Sequence, residues 1–399
     1  MYTWLNRTFQ TVAKVAVNFL DWQSPELYVG AGNFDALPKL IHKKNIESLL
    51  IVTDKGIRDT KIGETFTQNL EALGIAYAIY DGVESNPTTT ISEEIAIQYK
   101  KIQAEAMVGV GGGSVIDAMK GASIAITQPE KPLSEFKGLL KVRSETPYMI
   151  AVPTTAGTGS EATLASVLSD PNGQDKYAIM DTALIPDLAI LDSNLTESLP
   201  KDLIAGPGMD ALTHAVEAYI GYGNTEETKK YSQEAITLIA DNLLTNYENP
   251  GNAEARENML IASYYAGKAF TRAYVGNVHA ISHALSAYYN VPHGSTNATV
   301  LPFILRLYGD SAVERLAELS ELVGLPEVKN TPKENAELFI EWIEFLNKKM
   351  QIRKHISEIE KDDLDGLADH AKTEANPLYP VPKIFKHDDF VEALRIIQG

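Results

Sequence analysis

The first half of the chain alternates short apolar runs with longer amphipathic stretches. Five apolar runs, rich in β-branched residues, occupy residues 48–53, 75–80, 106–110, 148–152 and 188–191. They do not alternate polar with apolar positions, which is the pattern of strands buried on both faces of a sheet. Because helical stretches separate the runs, we predict a parallel sheet with helices on both sides. The segment Asp-Pro-Asn-Gly at 170–173 lies between two further apolar runs and predicts a hairpin turn.

After Leu199 and Pro200 the apolar residues recur with the 3.6-residue period of helices. The period extends over residues 203–220, 226–247, 253–273, 276–289, 311–323, 333–350 and 388–397. A chain of 399 residues also exceeds the size at which one hydrophobic core stops growing, about 250–300 residues. We therefore predict two domains, an α/β domain at residues 1–200 and an all-helical domain at residues 201–399. The proline-rich stretch 376–382 predicts an irregular crossing before the last helix.

The N-terminal segment has an amphipathic pattern of its own. Its apolar residues recur at helical spacing, at Leu5, Phe9, Val12, Ala16 and Phe19. Polar residues such as Gln10 and Lys14 lie between them, whereas a signal peptide has an uninterrupted apolar run and a small-residue cleavage site. We predict a helix that packs its apolar face on the rest of the protein. A targeting or interface role is the alternative.

Charge and composition exclude several classes of function. The 53 acidic and 35 basic residues give a net charge of −18, which argues against nucleic acid as a partner, because phosphate backbones are bound by basic surfaces. No apolar stretch reaches about 18 residues, so we predict no membrane span. The chain has no cysteine, which excludes thiolate ligands and disulfides and is compatible with a cytoplasmic enzyme. Any metal must therefore be held by histidine and carboxylate side chains.

A glycine-rich turn follows the strand predicted at 106–110. Its sequence, Gly-Val-Gly-Gly-Gly-Ser at 109–114, leads directly into a helical stretch. Backbone N–H groups at such a turn bind a pyrophosphate, which the helix dipole also stabilises. However, Ser114 stands where the third glycine of the GxGxxG pattern is expected, and a tight turn without a ligand uses the same glycines. The run alone therefore favours a phosphate site without establishing it.

Two further polar groups at strand ends fit a dinucleotide. Asp54 follows the strand at 48–53, where an acid accepts a hydrogen bond from a ribose 2′-hydroxyl and repels a 2′-phosphate. It precedes the glycine-rich turn, the reverse of the usual order, and a cap or turn role is the alternative. The segment Pro-Thr-Thr-Ala-Gly-Thr-Gly-Ser-Glu at 153–161 offers hydroxyl groups for phosphate or ribose, although a helix cap needs only one of them.

Histidines are concentrated in one part of the helical half. Asp210 and His214 are four residues apart, as are His279 and His283, so the members of each pair share a helix face and can reach one ion. His293 comes just past the second helix, where a turn can bring it back to the others. Two such pairs and a turn histidine indicate a metal site that suits Fe²⁺ or Zn²⁺.

For the other polar residues of this half, a role at the solvent-exposed surface is favoured. Glu217, three residues after His214, is either a hydrogen-bond partner of a ligand or part of a solvated face, and the solvated face is favoured. The remaining histidines lie in polar surroundings and are predicted at the surface: His42, His355, His370 and His387.

Seven motifs together resemble the iron-containing (group III) alcohol dehydrogenases, from about residue 27 to the end of the chain. They are VTDKG at 52–56, NPT at 86–88, GGGSVIDAMK at 111–120, PTTAGTGSE at 153–161, IPDLAILD at 185–192, GMDALTHAVEAY at 208–219 and HAISHALSAYYNVPHG at 279–294. The resemblance implies an α/β Rossmann-like NAD-binding domain followed by an all-α metal-binding domain. Two departures are Ser286, where many members have glycine, and a longer N-terminal helix. Neither touches a ligand position.

The resemblance also implies roles for individual residues. The metal ligands would be Asp210, His214, His279 and His293, with Fe²⁺ or Zn²⁺ as the ion. His283 would be a catalytic residue near the nicotinamide and substrate, with a fifth metal ligand or a packing histidine as the alternatives. Phe270 would be an apolar wall for the substrate. The NAD site would be lined by Asp54, Asn86, Gly112, Gly113, Ser114, Asp117, Thr154, Thr155, Thr158 and Lys176.

The expected activity is NAD(H)-linked hydride transfer between a small alcohol and its aldehyde or ketone, in a cytoplasmic homodimer. The same architecture leaves open a zinc-dependent polyol dehydrogenase, a dehydroquinate-synthase-like lyase or a hydroxy-acid/oxo-acid oxidoreductase. An NAD-binding protein without turnover is a further alternative, against which the intact ligand set argues.

Overall fold

The structure, a computed structural model, describes residues 3–17, 22–60, 63–142, 144–171, 176–325 and 331–399. The chain divides into two compact units. One comprises residues 21–198, and the other comprises residues 1–20 together with 199–399. The α/β domain predicted at residues 1–200 differs from this unit mainly in the first helix, α1 (Thr3–Val17), which groups with the helical unit.

The α/β unit is built on a six-stranded parallel sheet in the order β1-β9-β6-β4-β2-β3. The strands of the unit are β1 (Glu26–Val29), β2 (Ser48–Val52), β3 (Ala76–Tyr80), β4 (Ala106–Gly111), β5 (Gly138–Leu139), β6 (Tyr148–Pro153), β7 (Ala165–Ser169), β8 (Lys176–Met180) and β9 (Leu188–Leu191). All five predicted apolar runs are strands of this sheet. β4 is buried along its whole length, which explains why its sequence shows no alternation.

Helices cover both faces of this sheet. They are α2 (Asn33–Lys43), α3 (Lys55–Arg58), α4 (Glu64–Ala72), α5 (Thr89–Lys101) and α6 (Gly113–Thr127). One face packs on α2 and α4 through Phe34 and Phe66, and the opposite face packs on α5 and α6 through Ile95 and Ile116. The parallel sheet with helices on both sides is therefore confirmed.

A second, three-stranded sheet has the order β5-β8-β7. β7 and β8 pair antiparallel with Ser169 opposite Lys176, so the predicted hairpin is confirmed. Residues 172–175 of the connection, which include part of the predicted turn, lie outside the described residues.

The other unit is helical after residue 199. Its helices are α7 (Lys201–Ile220), α8 (Glu226–Glu248), α9 (Ala253–Ala273), α10 (Asn277–Tyr289), α11 (His293–Tyr308), α12 (Val313–Leu322), α13 (Pro332–Lys349), α14 (Leu364–Ala375) and α15 (His387–Gln398). All seven predicted helical stretches correspond to helices. From Ile204 to Ile220 every residue of α7 except Pro207 is buried, as expected for a helix that is apolar on all sides. None of the helices in the described ranges combines the length and the apolar character of a membrane span.

The contacts of α1 are opposite to those predicted. Leu5, Phe9 and Val12 are 39%, 44% and 64% exposed, whereas Gln10 is buried and hydrogen-bonded to the backbone of residues 377 and 379. The side chain of Ala16 and the whole of Phe19 lie outside the described residues. The helix itself is present, but the predicted packing of its apolar face is wrong, because its polar side chains satisfy buried carbonyl groups of the same unit.

Candidate metal centre and cofactor site

Three helices of the helical unit bring the predicted metal ligands together. Asp210 lies in the middle of α7, His279 in the first turn of α10, and His293 opens α11. One donor atom from each lies within 4.8 Å of the other two, and each histidine Nε2 lies 3.6 Å from Asp210 Oδ1. His293 was expected in a turn past the second helix; it is instead the first residue of α11, with Pro292 before it.

His214, the fourth predicted ligand, lies beside this group with its ring stacked. Its ring centroid is 4.5 Å from that of His279 and 4.2 Å from that of Phe270, with planes within 22° of parallel. Burial alone would raise the pKa of Asp210, but the imidazoles of His214, His293 and His279 hold that pKa well below its usual range. Asp210 is therefore an ionised, buried carboxylate among imidazoles, and the stacked His214 contributes to its field.

Glu217 fixes the orientation of His279. Its Oε2 lies 2.6 Å from His279 Nδ1, and the carboxylate also accepts hydrogen bonds from the backbone N–H of Gly276 and Val278, each at 2.8 Å. Burial opposes protonation of His279, but the carboxylates of Asp210 and Glu217 raise its pKa to about 9. The solvated face favoured for Glu217 is therefore wrong: this carboxylate is 3% exposed and directs the Nε2 atom of His279 towards Asp210.

Asn297 was missed by the sequence analysis. Its Nδ2 atom lies 2.7 Å from Asp210 Oδ1 and 3.1 Å from the Nε2 atoms of both His279 and His293. An amide nitrogen has two hydrogens, so it cannot satisfy three acceptors at once. The centre thus places more polar atoms around Asn297 Nδ2 than this one amide can serve. With the imidazoles deprotonated, the set of one carboxylate oxygen and imidazole nitrogens fits a divalent transition metal, which would take the place of the proton on His279. The available signal was the spacing, because Asn297 is four residues after His293 on α11.

His283 lies next to this centre and has a carboxylate partner of its own. Its ring stacks on that of His293 at 5.0 Å, and its Nδ1 lies 2.6 Å from Glu374 Oε1. Tyr379 donates its hydroxyl to the same oxygen at 2.7 Å. No sequence signal linked Glu374 or Tyr379 to His283, because they are 91 or more residues away on another helix and in an irregular segment.

In the α/β unit, Asp54 and the glycine-rich turn are neighbours. Val52 of β2 pairs with Gly109 of β4, so the residues that follow these strands leave the sheet side by side. The helices after β2 and β4 lie on opposite faces of the sheet, which makes this the point where dinucleotides bind in open α/β folds. The reversed order along the sequence is therefore no obstacle. Asp54 also caps α3, accepting from Ile57 N at 2.9 Å through Oδ1.

The glycine-rich turn is packed tightly against the threonine-rich loop. A Cβ atom on Gly113 would lie 2.7 Å from Thr158 Cγ2, and one on Gly112 would lie 3.4 Å from Thr155 Oγ1. Thr154 donates its backbone N–H to Gly111 O at 3.0 Å. No side chain among the described residues caps α6, whose first residues are Gly113 and Ser114. Because Val115 and Ile116 donate their N–H groups to Gly112 O, an anionic group would be met by the N–H groups of Gly113 and Ser114.

The remaining predicted cofactor residues are engaged with each other or with the loop. Lys176 donates to Asn86 Oδ1 at 2.7 Å. Asp117 accepts from the Ser160 hydroxyl at 2.6 Å and from Val167 N at 3.1 Å. Burial raises the pKa of Asp117.

A dinucleotide-type α/β unit and a helical unit with a buried Asp/His metal centre define a metal-dependent oxidoreductase that uses a nucleotide cofactor. Comparison with known proteins agrees. The model of the iron-containing alcohol dehydrogenases matches residues 24–193, and the model of the C-terminal part of that family matches residues 204–397. The chain belongs to the iron-containing alcohol dehydrogenase family.

Individual relatives cover nearly the whole chain. It is 32% identical to the lactaldehyde reductase of Escherichia coli K12 over 86% of this chain and 90% of that protein. A crystal structure of 1,3-propanediol oxidoreductase matches with a TM-score of 0.90 and 33% identity, covering 94% of this chain and 99% of the other. Sulfoacetaldehyde reductase from Bifidobacterium kashiwanohense, in complex with NAD⁺, matches with a TM-score of 0.84 and 25% identity, covering 96% and 99%.

These findings confirm the fold class and the enzyme class. The chain is a metal-dependent alcohol dehydrogenase, an oxidoreductase that acts on CH–OH groups. Nothing in the comparisons favours the zinc-dependent polyol dehydrogenase.

Proposed function

We propose that the protein interconverts a small alcohol and its aldehyde or ketone with NAD(H) and Fe²⁺, the ion being held by Asp210, His214, His279 and His293. The observation that carries the proposal is the convergence of donor atoms from Asp210, His279 and His293 within 4.8 Å. The donor set has one carboxylate and imidazoles, which suits Fe²⁺ in a family described as iron-containing.

The protein's own residues prepare this centre. A bound divalent ion supplies Lewis-acid polarisation of the substrate oxygen. Asp210 provides the negative charge, and Glu217 keeps His279 turned so that its Nε2 lone pair faces the centre. Phe270, stacked on His214, offers an apolar surface to the substrate carbon chain.

His283 is the proposed catalytic residue for proton transfer. Its Nδ1 is directed at Glu374, so Nε2 is the atom left to exchange a proton with the substrate oxygen. The side chain is 25% exposed, so a proton can pass on to water. In this role His283 transfers a proton and does not bind the ion, which is held by the four proposed ligands named above.

The cofactor is proposed to bind at the carboxyl ends of β2 and β4. Gly112, Gly113 and Ser114 would hold the pyrophosphate through backbone N–H groups at the start of α6. The Asp54 carboxylate would accept a hydrogen bond from the adenosine ribose, which favours NAD(H) over NADP(H). The rest of the site would be formed by Asn86, Asp117, Thr154, Thr155, Thr158 and Lys176.

The protein is further proposed to be a cytoplasmic homodimer. β1 is an edge strand, paired with β9 on one side, and its last residue Val29 is 38% exposed. Such an edge offers backbone groups for pairing with a second copy. Light scattering on the purified protein tests this, and a monomeric mass would exclude it.

Metal removal and one substitution test the central proposal. Chelation should abolish turnover, and Fe²⁺ or Zn²⁺ should restore it. Asp210→Ala should lose bound metal and turnover but keep its affinity for NADH, measured by fluorescence titration, because the predicted cofactor residues lie in the α/β unit. Retention of one metal per chain by this variant would show that the ligand assignment is wrong.

A further inference from the structure

The carboxylate beside His283 is itself held by a tyrosine. Glu374 Oε1 lies 2.6 Å from His283 Nδ1 and accepts the Tyr379 hydroxyl at 2.7 Å. Burial and the adjacent carboxylate hold the pKa of Tyr379 well above its usual value, so its hydroxyl remains protonated and donates. One carboxylate oxygen thus receives two donors, an arrangement that fixes both the tautomer and the direction of an imidazole.

Tyr379 belongs to the irregular, proline-rich segment 376–382, which α1 holds in place. Gln10, which is 2% exposed, donates from Nε2 to the Tyr379 carbonyl at 2.7 Å and to the Pro377 carbonyl at 3.2 Å. An irregular segment has no hydrogen-bond ladder of its own, so its carbonyl groups depend on partners such as these.

A second residue of α1, Arg7, holds the same segment. We call the contacts of Gln10 and Arg7 with residues 376–382 the clamp. Arg7 donates to the carbonyl oxygens of Val381 and Pro382 at 3.0 and 3.1 Å, and to Gln10 Oε1 at 3.0 Å. Charged donors to carbonyl groups are stronger than neutral ones. The two polar side chains together hold four carbonyl groups of the segment, while the apolar residues Phe9 and Val12 of α1 remain exposed.

We propose that Glu374 is a positioning residue for His283 and that α1 belongs to the same support, because Gln10 fixes the backbone of Tyr379. The inference rests on the proposed catalytic role of His283. It gives the N-terminal helix a function: α1 stabilises the segment that carries the tyrosine, the tyrosine orients the carboxylate, and the carboxylate orients the imidazole.

A double-mutant cycle tests the first part of this proposal. In the iron-loaded enzyme, Glu374→Gln should lower kcat by about 10- to 100-fold, by analogy with the carboxylate partners of metal-ligating histidines, with a smaller change in KM. Tyr379→Phe keeps the ring and should lower kcat less. In a His283→Ala background, Glu374→Gln should cause no further loss, because it acts only through His283.

The outcomes separate this inference from the proposed function. If His283→Ala retains wild-type turnover, the proposed catalytic role of His283 fails. If His283→Ala is impaired and Glu374→Gln impairs it further by the same factor as in wild type, only the positioning role fails. Asp369→Asn is the matched control on α14, since that carboxylate is 62% exposed and should leave kcat unchanged. Bound iron and melting temperature are measured for every variant.

The clamp is tested by Gln10→Ala, with Thr11→Ala as the control on the exposed side of the same helix. Gln10→Ala should lower kcat by about two- to tenfold, because it removes both hydrogen bonds from Gln10 to the segment and the contact between Gln10 and Arg7. It should also speed amide hydrogen exchange in residues 376–382, a readout that does not depend on turnover. If both kcat and exchange match those of Thr11→Ala, α1 is not part of the support.

Discussion

Glu217 shows how one buried side chain organises His279, a proposed metal ligand. A carboxylate that is 3% exposed must have its oxygens occupied, and here two backbone N–H groups and the His279 imidazole do so. The imidazole is then held as the tautomer that presents Nε2 to the centre. The same contact links α7 to the start of α10, so ligand geometry and helix packing depend on one residue.

Glu217→Gln should therefore weaken metal binding without unfolding the protein. The amide has the same size but makes a weaker bond to His279 Nδ1, and loss of such partners costs about 10- to 100-fold in metal affinity. Competition with a chromophoric chelator measures the affinity. Glu226→Gln is the control, because that carboxylate is 90% exposed at the start of α8. Equal affinities for the two variants would contradict the role given to Glu217.

Asp54→Asn should relax the choice between the two nicotinamide cofactors. Asparagine keeps the cap of α3 but removes the charge that would repel a 2′-phosphate. The ratio of kcat/KM for NADH to that for NADPH should fall roughly tenfold. Asp59→Asn, at the other end of α3, provides the control. Wild-type enzyme that uses both cofactors equally well would refute the role of Asp54.

At the scale of residues, the sequence revealed contacts that are local. Asp210 and His214 were found because they are four apart on one helix. Asn297 carried the same signal relative to His293 and was overlooked. Glu374 carried none, because its contact with His283 depends on how α10 packs on α14, and spacing along the chain contains no such information.

Among the elements, α6 is tied to the loop after β6 by a buried lysine. Lys120 is fully buried and donates to the carbonyl oxygens of Ser160, Thr163 and Ala165 at 2.6–2.8 Å. Burial lowers its pKa to about 8. Glu161 of the same loop is also buried, and burial raises its pKa from 4.5 to about 7. Its Oε1 has no hydrogen-bond partner in the described part of the chain.

Glu161 should make the stability of the α/β unit depend on pH. A carboxyl group whose folded pKa is raised contributes stability that is fully present below the unfolded value of 4.5 and is lost as pH rises through about 7. Wild type should therefore lose stability relative to Glu161→Gln between these pH values, measured by urea unfolding. Glu135→Gln, a substitution at an exposed glutamate, should show the same dependence of unfolding free energy on pH as wild type. Parallel curves for wild type and Glu161→Gln would show that burial does not shift this group.

The elements that sequence analysis missed have physical reasons. α11 contains Pro302 and begins with a polar stretch, and α14 contains Gly366. Both segments therefore have a low intrinsic helix propensity, and they form helices because of their packing in the folded protein. β1 is a four-residue edge strand without a fully buried position. For α1, periodicity identified the helix but not the side that packs, because polar contacts outweigh apolar ones there.

For the whole molecule, the two units carry the two kinds of predicted site. Every predicted metal ligand lies between residues 210 and 293, and every predicted NAD contact lies between residues 54 and 176. The change from strand to helix periodicity near residue 200 lies beside the division between the two compact units at 198/199. The association of α1 with the helical unit was not visible, since it depends on contacts across about the whole chain length.

Each ligand should accordingly protect its own unit. NADH should slow amide hydrogen exchange mainly in residues 21–198, and Fe²⁺ mainly in α7, α10 and α11, because a ligand stabilises the structure that binds it. Exchange measured by mass spectrometry with each ligand alone gives the two maps. In Asp210→Ala the iron-dependent protection should vanish while the NADH-dependent protection remains. Protection of α10 by NADH alone, to the same degree as by Fe²⁺, would contradict this separation.

The bond between Gln10 and Tyr379 also has a consequence for how the enzyme is made. The two residues are 369 positions apart, so at about 5–20 residues per second the ribosome needs roughly 20–70 s between them. Throughout that time Gln10 lacks the Tyr379 carbonyl that it binds in the finished protein, although all the proposed metal ligands are translated before Tyr379. A chain that stops short of residue 379 would carry all the proposed ligands but lack the proposed support of His283. It would also lack α15, whose Phe390 and Leu394 are fully buried, so part of the core of the helical unit would be missing as well. Completion of the last 21 residues therefore decides both the proposed alignment of His283 and the packing of the unit that holds it.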